Sequence, residues 1–167
     1  MTATTRRRAA RPVTGEVCDE CLSRITGQTG VSLGEFLDDL DAPVMLVDSD
    51  VTVMLANKLV RSILNKDISQ IQGRRGGDVF ECVYARLPGG CGRTIHCSGC
   101  AIRRTVTDTF LTGRGHAAVS ATIHPDIGKS NRQVAIRIST EKIWNMVLLR
   151  LDQFGPAKEP LLPNKGH

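Results

Sequence analysis

Aromatic residues are scarce in this chain: its 167 residues include one tryptophan, one tyrosine and four phenylalanines. Surfaces that bind nucleic acid by stacking interleave aromatic with basic side chains, and no such interleaving is present, so DNA or RNA binding is not expected. Long apolar runs are also missing. The longest, VMLV at 44–47 and MVLL at 146–149, fall far short of the roughly 20 residues that cross a bilayer, so no transmembrane helix is expected. The N-terminal MTATTRRRAARPV has arginines but no apolar stretch and cleavage site behind them. It does not read as a secretory signal, which leaves a cytoplasmic location as the expectation. Internal repeats are absent, and the glycine-rich run from Gly73 to Asp78 lacks the Walker spacing and following Lys-Ser/Thr of a phosphate loop.

What remains is enough for one domain, since 41% of the residues are hydrophobic. The net charge of +5 is concentrated at Arg6, Arg7, Arg8 and Arg11, in a Thr/Ala/Pro context that cannot fold alone. Residues 1–31 are therefore expected to be a basic, largely flexible segment. Ser32 and Glu35 have the spacing of a capping box, followed by Leu33, Phe36, Leu37 and Leu40 on one helical face that stops before Pro43. Two β-branched runs, 43–48 and 51–56, separated by Ser49-Asp50, predict a hairpin. Asn57 can cap a helix from Lys58 that carries Leu59, Val60, Ile63 and Leu64. Six glycines and Pro88 between 73 and 92 predict short, broken structure. Ile102, Val106 and Phe110 predict a helix over about 98–111, ended by Gly113 and Gly115, with Cys100 in its first turn. Alternation in 117–123, 134–138 and 147–151 predicts three consecutive strands, and the Pro-rich tail from Gly155 is not expected to pack. The expected fold is α+β, a five-stranded antiparallel sheet with helices on one face, over residues 32–154.

Six cysteines stand out against this background, four of them within nineteen residues as Cys82-x8-Cys91-x5-Cys97-x2-Cys100. In a reducing cytoplasm a C-x2-C pair is more often a metal ligand or a reactive thiol pair than a structural disulfide. Four thiolates are the donor set of both structural zinc and common iron–sulfur clusters. Cys97 and Cys100 can face one side of a turn, and Gly89, Gly90 and Gly92 let the backbone at Cys91 turn tightly and offer N–H groups to sulfur. Arg93, Arg103 and Arg104 are candidates to balance the negative charge that four thiolates leave. A thiol near the start of the following helix is expected to have a lowered pKa. Zinc would make the site a structural clip, and an iron–sulfur cluster would make it a redox or gas sensor. A thiol–disulfide switch that pairs Cys97 with Cys100 and Cys82 with Cys91 uses the same residues. Cys18 and Cys21 form a second C-x2-C pair, read as exposed thiols unless a fold-back or a dimer partner completes another site. His96 can replace a thiolate but is expected to be solvated, like His116 and His124 at a strand's ends, and Trp144 is expected to pack against the sheet, with a dimer interface as the alternative.

The order of elements and the local sequences resemble the PAS sensory family. PVMLVDSDVTVMLAN resembles its opening strand pair, HAAVSATIH its third strand and RQVAIRISTEKIWNMVLLRLDQF its last two; GGDVFECVYARLPGGCGRTIHCSGCAIRRTV resembles bacterial PAS domains with cysteines in the central helical region. The resemblance implies a sensor or signal-transfer module with a small cavity between sheet and helices, and some cysteine-bearing members hold an iron–sulfur cluster. The resulting expectation is a non-enzymatic cytoplasmic sensor in which Cys82, Cys91, Cys97 and Cys100 bind an iron–sulfur cluster or zinc. About a dozen Pro-rich residues follow the last strand, too few for a kinase, cyclase or helix-turn-helix. A signalling partner protein in trans and a homodimer are therefore expected. The alternatives are a cofactor-free PAS dimerisation or interaction module and a thiol switch. A thiol oxidoreductase is disfavoured, because neither C-x2-C pair sits where a strand hands over to a helix and no acid/base constellation accompanies them.

Overall fold

The computed structural model of the chain describes residues 32–125 and 133–156. The basic N-terminal segment with Cys18 and Cys21, and the tail beyond 156, lie outside the described residues. The element order is α1 (Leu33–Asp38), β1 (Val44–Val47), β2 (Val53–Ala56), α2 (Lys58–Leu64), α3 (Ile68–Ile71), α4 (Gly76–Val79), 3-10 turns at Val83–Arg86 and Ile95–Gly99, α5 (Ala101–Thr112), β3 (His116–Ile123), β4 (Val134–Ile143) and β5 (Met146–Pro156). The strands form one sheet in the order β2-β1-β5-β4-β3, with every neighbouring pair antiparallel. This is the expected five-stranded α+β architecture.

The central strand β1 explains why its sequence is apolar at every position. All four residues of VMLV are buried. Alternation sends Met45 and Val47 into the main core with Val106, Ile136, Ile138 and Leu149, and Val44 and Leu46 into a second cluster with Leu37 of α1. Helix α1 thus covers the opposite face of the sheet from α5. Its capping box is formed, Glu35 N–H donating to Ser32 Oγ at 3.2 Å and Ser32 N–H to Glu35 Oε2 at 2.7 Å. Asn57, 1% exposed, ties three elements together. Its Oδ1 accepts from Val44 N and Val60 N, and its Nδ2 donates to the Leu37 and Ala42 carbonyls.

Helix α5 begins at Ala101 rather than 98, because 95–99 closes as a 3-10 turn and Cys100 takes the extended N-cap conformation. Its buried face is Ile102, Thr105, Val106 and Thr109. Phe110, expected in that stripe, is only half-buried. Thr109 takes the inward place because its hydroxyl has a partner there, Thr140 Oγ at 2.8 Å. Strand β5 runs two residues past the expected domain end, Gly155 pairing with Ala135 and Pro156 with Val134; a missing N–H is tolerated at a strand's last position. Trp144 does not pack on the sheet. It occupies the β4–β5 turn with φ +53° and is 52% exposed. His116 is not merely solvated, as its Nε2 lies 2.7 Å from Asp108 Oδ2.

Candidate functional site

All four clustered cysteines line one cavity of about 410 Å³, bounded by the Ser120–His124 end of β3, the start of α5 and the two 3-10 turns. They arrive from three stretches of backbone, Cys97 and Cys100 sharing the last. Cys82 precedes the first 3-10 turn, where its N–H donates to Gly77 O at 2.7 Å and it forms an isolated bridge with Pro125. Cys91 follows Gly89 and Gly90, both in the left-handed region at φ +94° and +73°. Cys97 lies in the second 3-10 turn and Cys100 caps α5. Cys97 is buried, the other three are half-buried, and all four are free thiols.

Glycines make room for this arrangement. A Cβ at Gly77 would stand 2.8 Å from Cys91 Sγ, so α4 can lie against that sulfur only without a side chain there. Gly92, at φ +88°, has the Arg103 guanidinium where its own Cβ would be. Its N–H donates to Cys97 Sγ at 3.1 Å, and the Thr94 hydroxyl lies 3.2 Å from the same sulfur. Burial raises the Cys97 pKa, but the Thr94 hydroxyl, the Gly92 and Thr94 backbone groups and the Arg103 charge outweigh it, and the net direction is down. The lowered thiol near the helix start is therefore Cys97, and hydrogen bonds rather than the helix terminus lead the causes.

Of the three arginines expected to balance charge, Arg103 reaches the site. Its Nη2 lies 3.8 Å from Cys91 Sγ, and its Nη1 donates to Asp50 Oδ1 at 2.7 Å. Arg93 and Arg104 are exposed. Three other residues have no signal in the cysteine spacing: Asp50, Arg75, which donates to the Cys91 carbonyl at 2.7 Å, and His124. Tyr84 does have one, as the sole tyrosine, sitting inside the cysteine segment. Its ring stacks on His96 at 4.0 Å between centroids and 13° between planes, and His124 tilts against it at 5.4 Å. His96 is thus exposed but held by a ring contact, and all three rings line the cavity.

The four sulfurs share a cavity without converging on a point. Among the described residues, no group of three or more His, Cys, Asp or Glu side chains could hold a single metal ion. No described helix is long and apolar enough to cross a membrane.

No family model matches the sequence, and no curated protein matches it. Solved structures do match the architecture. The PAS domain of nitrogen regulation protein NR(II) from Vibrio parahaemolyticus aligns with a TM-score of 0.50 at 13% identity, over 74% of this chain and 99% of that one. A LOV protein from Rhodobacter sphaeroides aligns at 0.49 and 14%, over 71% and 62%. A domain of a sensory box sensor histidine kinase/response regulator from Geobacter sulfurreducens aligns at 0.48 and 12%, over 80% and 96%. The chain has the PAS fold that its sequence resembles, and at such identities the likeness is one of fold.

Proposed function

We propose that this chain is a cytoplasmic PAS-type sensor module whose four-cysteine cavity holds an iron–sulfur cluster and reports redox or gas state to a partner protein, through a homodimer. The observation that carries the reading is that Cys82, Cys91 and the Cys97/Cys100 pair, from three stretches of backbone, all line the same cavity. Mononuclear zinc needs its sulfurs at about 2.3 Å from one centre, and the spread of these sulfurs does not favour that. A polynuclear cluster anchors its thiolates on different irons, and a spread set of four suits it.

A cluster held by these cysteines would supply a one-electron couple. The chain's own residues do the rest. The Gly92 N–H donates to the Cys97 sulfur and the Thr94 hydroxyl lies 3.2 Å from it, contacts that lower the pKa of this thiol. Four thiolates around a 2+ cluster leave a net charge of about −2, and Arg103, its side chain 17% exposed, places a cation against Cys91. The Tyr84–His96 stack lines the same cavity as the four cysteines. A thiol switch is the second reading. It is favoured by the lowered pKa of Cys97 among three other free thiols.

The test is a visible absorption spectrum with iron, sulfide and zinc analysis on protein purified without oxygen, repeated on a Cys97→Ser, Cys100→Ser variant. Brown protein whose iron and sulfide the variant loses is the expected result. Stoichiometric zinc would make the site a structural clip. Colourless, metal-free, well-folded protein would sink the metal reading and leave the switch or a cofactor-free interaction module.

A further inference from the structure

A second, smaller cavity of about 190 Å³ lies at the end of the sheet where β3 and β5 finish and β4 begins. Ile63 of α2, Phe80, Ile123, Val134 and Phe154 give it an apolar lining. Ile63 and Phe154 are 40% and 36% exposed, and Phe154 stacks on Phe80 with ring centroids 6.3 Å apart. The charged side chains of the lining, Lys66 and Glu81, already satisfy each other. Lys66 Nζ lies 3.0 Å from Glu81 Oε1 and donates to the Val79 carbonyl at 2.7 Å. The groove therefore offers an occupant apolar burial rather than charge. Phe80 and Ile123 also line the cysteine cavity, so they form a wall common to both.

The chain leaves the sheet at this groove. Phe154 precedes Pro156, the last residue of β5, and Pro156 pairs with Val134. Among residues 157–167, which lie outside the described residues, the large apolar side chains are Leu161 and Leu162, in the run Glu159-Pro160-Leu161-Leu162-Pro163. We propose that the Leu161–Leu162 pair occupies the groove, docking the chain's own tail against the wall of the cysteine cavity. The five residues from Ala157 to Leu161 reach up to about 16 Å when extended, enough to turn back from Pro156 onto the groove. At roughly 30 Å³ per water-sized group, the space admits about six such groups, one leucine side chain and part of the next. Attachment to β5 makes the encounter intramolecular, so a contact too weak to hold a separate peptide is sufficient. Pro160 and Pro163 keep the segment out of helix and sheet ladders, but they favour the extended polyproline conformation, which is ordered at low entropic cost on an apolar surface. The inference does not depend on what the cysteines bind.

Trypsin cleavage after Lys158 in the full chain, followed by mass spectrometry, tests the contact. In Ile63→Ser the tail sequence is unaltered, and cleavage should be roughly tenfold faster than in wild type, the factor that burying one leucine side chain provides at the low end of its range. The double variant Leu161→Ser, Leu162→Ser should show the same acceleration once its rate is divided by that of a synthetic 153–167 peptide carrying the same changes, and wild type is divided by its own peptide. Cleavage after Lys142, inside β4, reports whether each variant is folded; if Ile63→Ser fails that check, Phe154→Ser replaces it from the strand side of the groove. Wild-type rates in the folded variants overturn the proposal. A tail released by the leucine changes but not by a folded groove variant is docked elsewhere, which overturns the groove as its site. Wild-type protection that falls on dilution would assign the groove to the tail of a second copy and overturn docking within one chain.

Discussion

Three glycines near the cysteines separate backbone strain from steric conflict, and replacing each by alanine measures how firmly Arg103 is wedged. Gly99 lies outside the left-handed region, and a Cβ there meets nothing within 4 Å. Its replacement should be neutral or stabilising by up to about 0.4–1 kcal/mol, through the unfolded chain. Gly90 sits at φ +73°, with its nearest prospective neighbour, the Ala85 carbonyl, at 3.8 Å. Alanine there incurs left-handed strain alone, about 1–2 kcal/mol. Gly92, at φ +88°, carries the same strain, and its new methyl group must also expel the guanidinium that bonds to Asp50. That charge-assisted bond involves a carboxylate whose side chain is 48% exposed; discounted for solvent, it adds about 1 kcal/mol. Gly92→Ala should therefore cost about 2–3 kcal/mol, about 1 kcal/mol more than Gly90→Ala. Urea unfolding of the three variants, with m-values unchanged from wild type, provides the comparison. The excess should disappear in an Arg103→Ala background. If Gly92→Ala costs no more than Gly90→Ala, or the excess persists without Arg103, the wedge plays no part in stability.

Asn57→Ala should cost about 3 kcal/mol or more, because it removes the cap of α2 and leaves the buried Val44 N–H and Leu37 carbonyl without their side-chain partner; a loss under about 1 kcal/mol in urea unfolding would contradict that. The Asp50 carboxyl is raised by burial but lowered more by its bond to Arg103 and by the charges of Arg103, Arg75 and Arg93. Its folded-state pKa is depressed, so its contribution is complete above the unfolded value of about 3.9 and lost as pH falls through the folded value. The stability gap between wild type and Asp50→Asn should stay constant from pH 7 to about 5 and close below about 4; a gap that closes near neutrality would implicate another group. Cys97, likewise shifted downward, should be alkylated in metal-free protein with a pH midpoint below that of an ordinary thiol, and Thr94→Val should raise the midpoint. Identical midpoints in the two proteins would mean that the Thr94 hydroxyl does not stabilise the thiolate.

The parts of the fold that announce themselves in sequence are those whose cause is local. The Ser32–Glu35 box, the Asn57 cap, the uninterrupted apolar run of β1 and the alternation in β3 to β5 each depend on neighbours a few residues away, and all are present. What spacing could not reveal depends on partners distant in the chain. Thr109 reads as polar until Thr140, from another element, is opposite it. Trp144 reads as packing against the sheet, whereas it sits at φ +53° in the β4–β5 turn and is largely exposed. At the site, the cysteines are legible as a group because they are close in sequence, and their common cavity follows that grouping. Asp50 is not legible, since its partner Arg103 lies 53 residues further along. Gly77 reads as a loop former, whereas its use is to leave space beside Cys91.

The cysteine segment is fastened at both ends. At its start, Cys82 N–H bonds to Gly77 O and Val83 N–H to His124 O, each at 2.7 Å; at its finish, α5 buries Ile102 and Val106 in the main core. The core of sheet and helix is packed from side chains of the strands and helices themselves, unlike a zinc finger, whose folding is its metal binding. On the cluster reading proposed above, loading would be an insertion into a folded domain, limited by supply rather than by folding. On that reading, loaded and unloaded copies would compete for the same partner, so the strength of the signal would depend on the ratio of the two as well as on the state of the loaded ones.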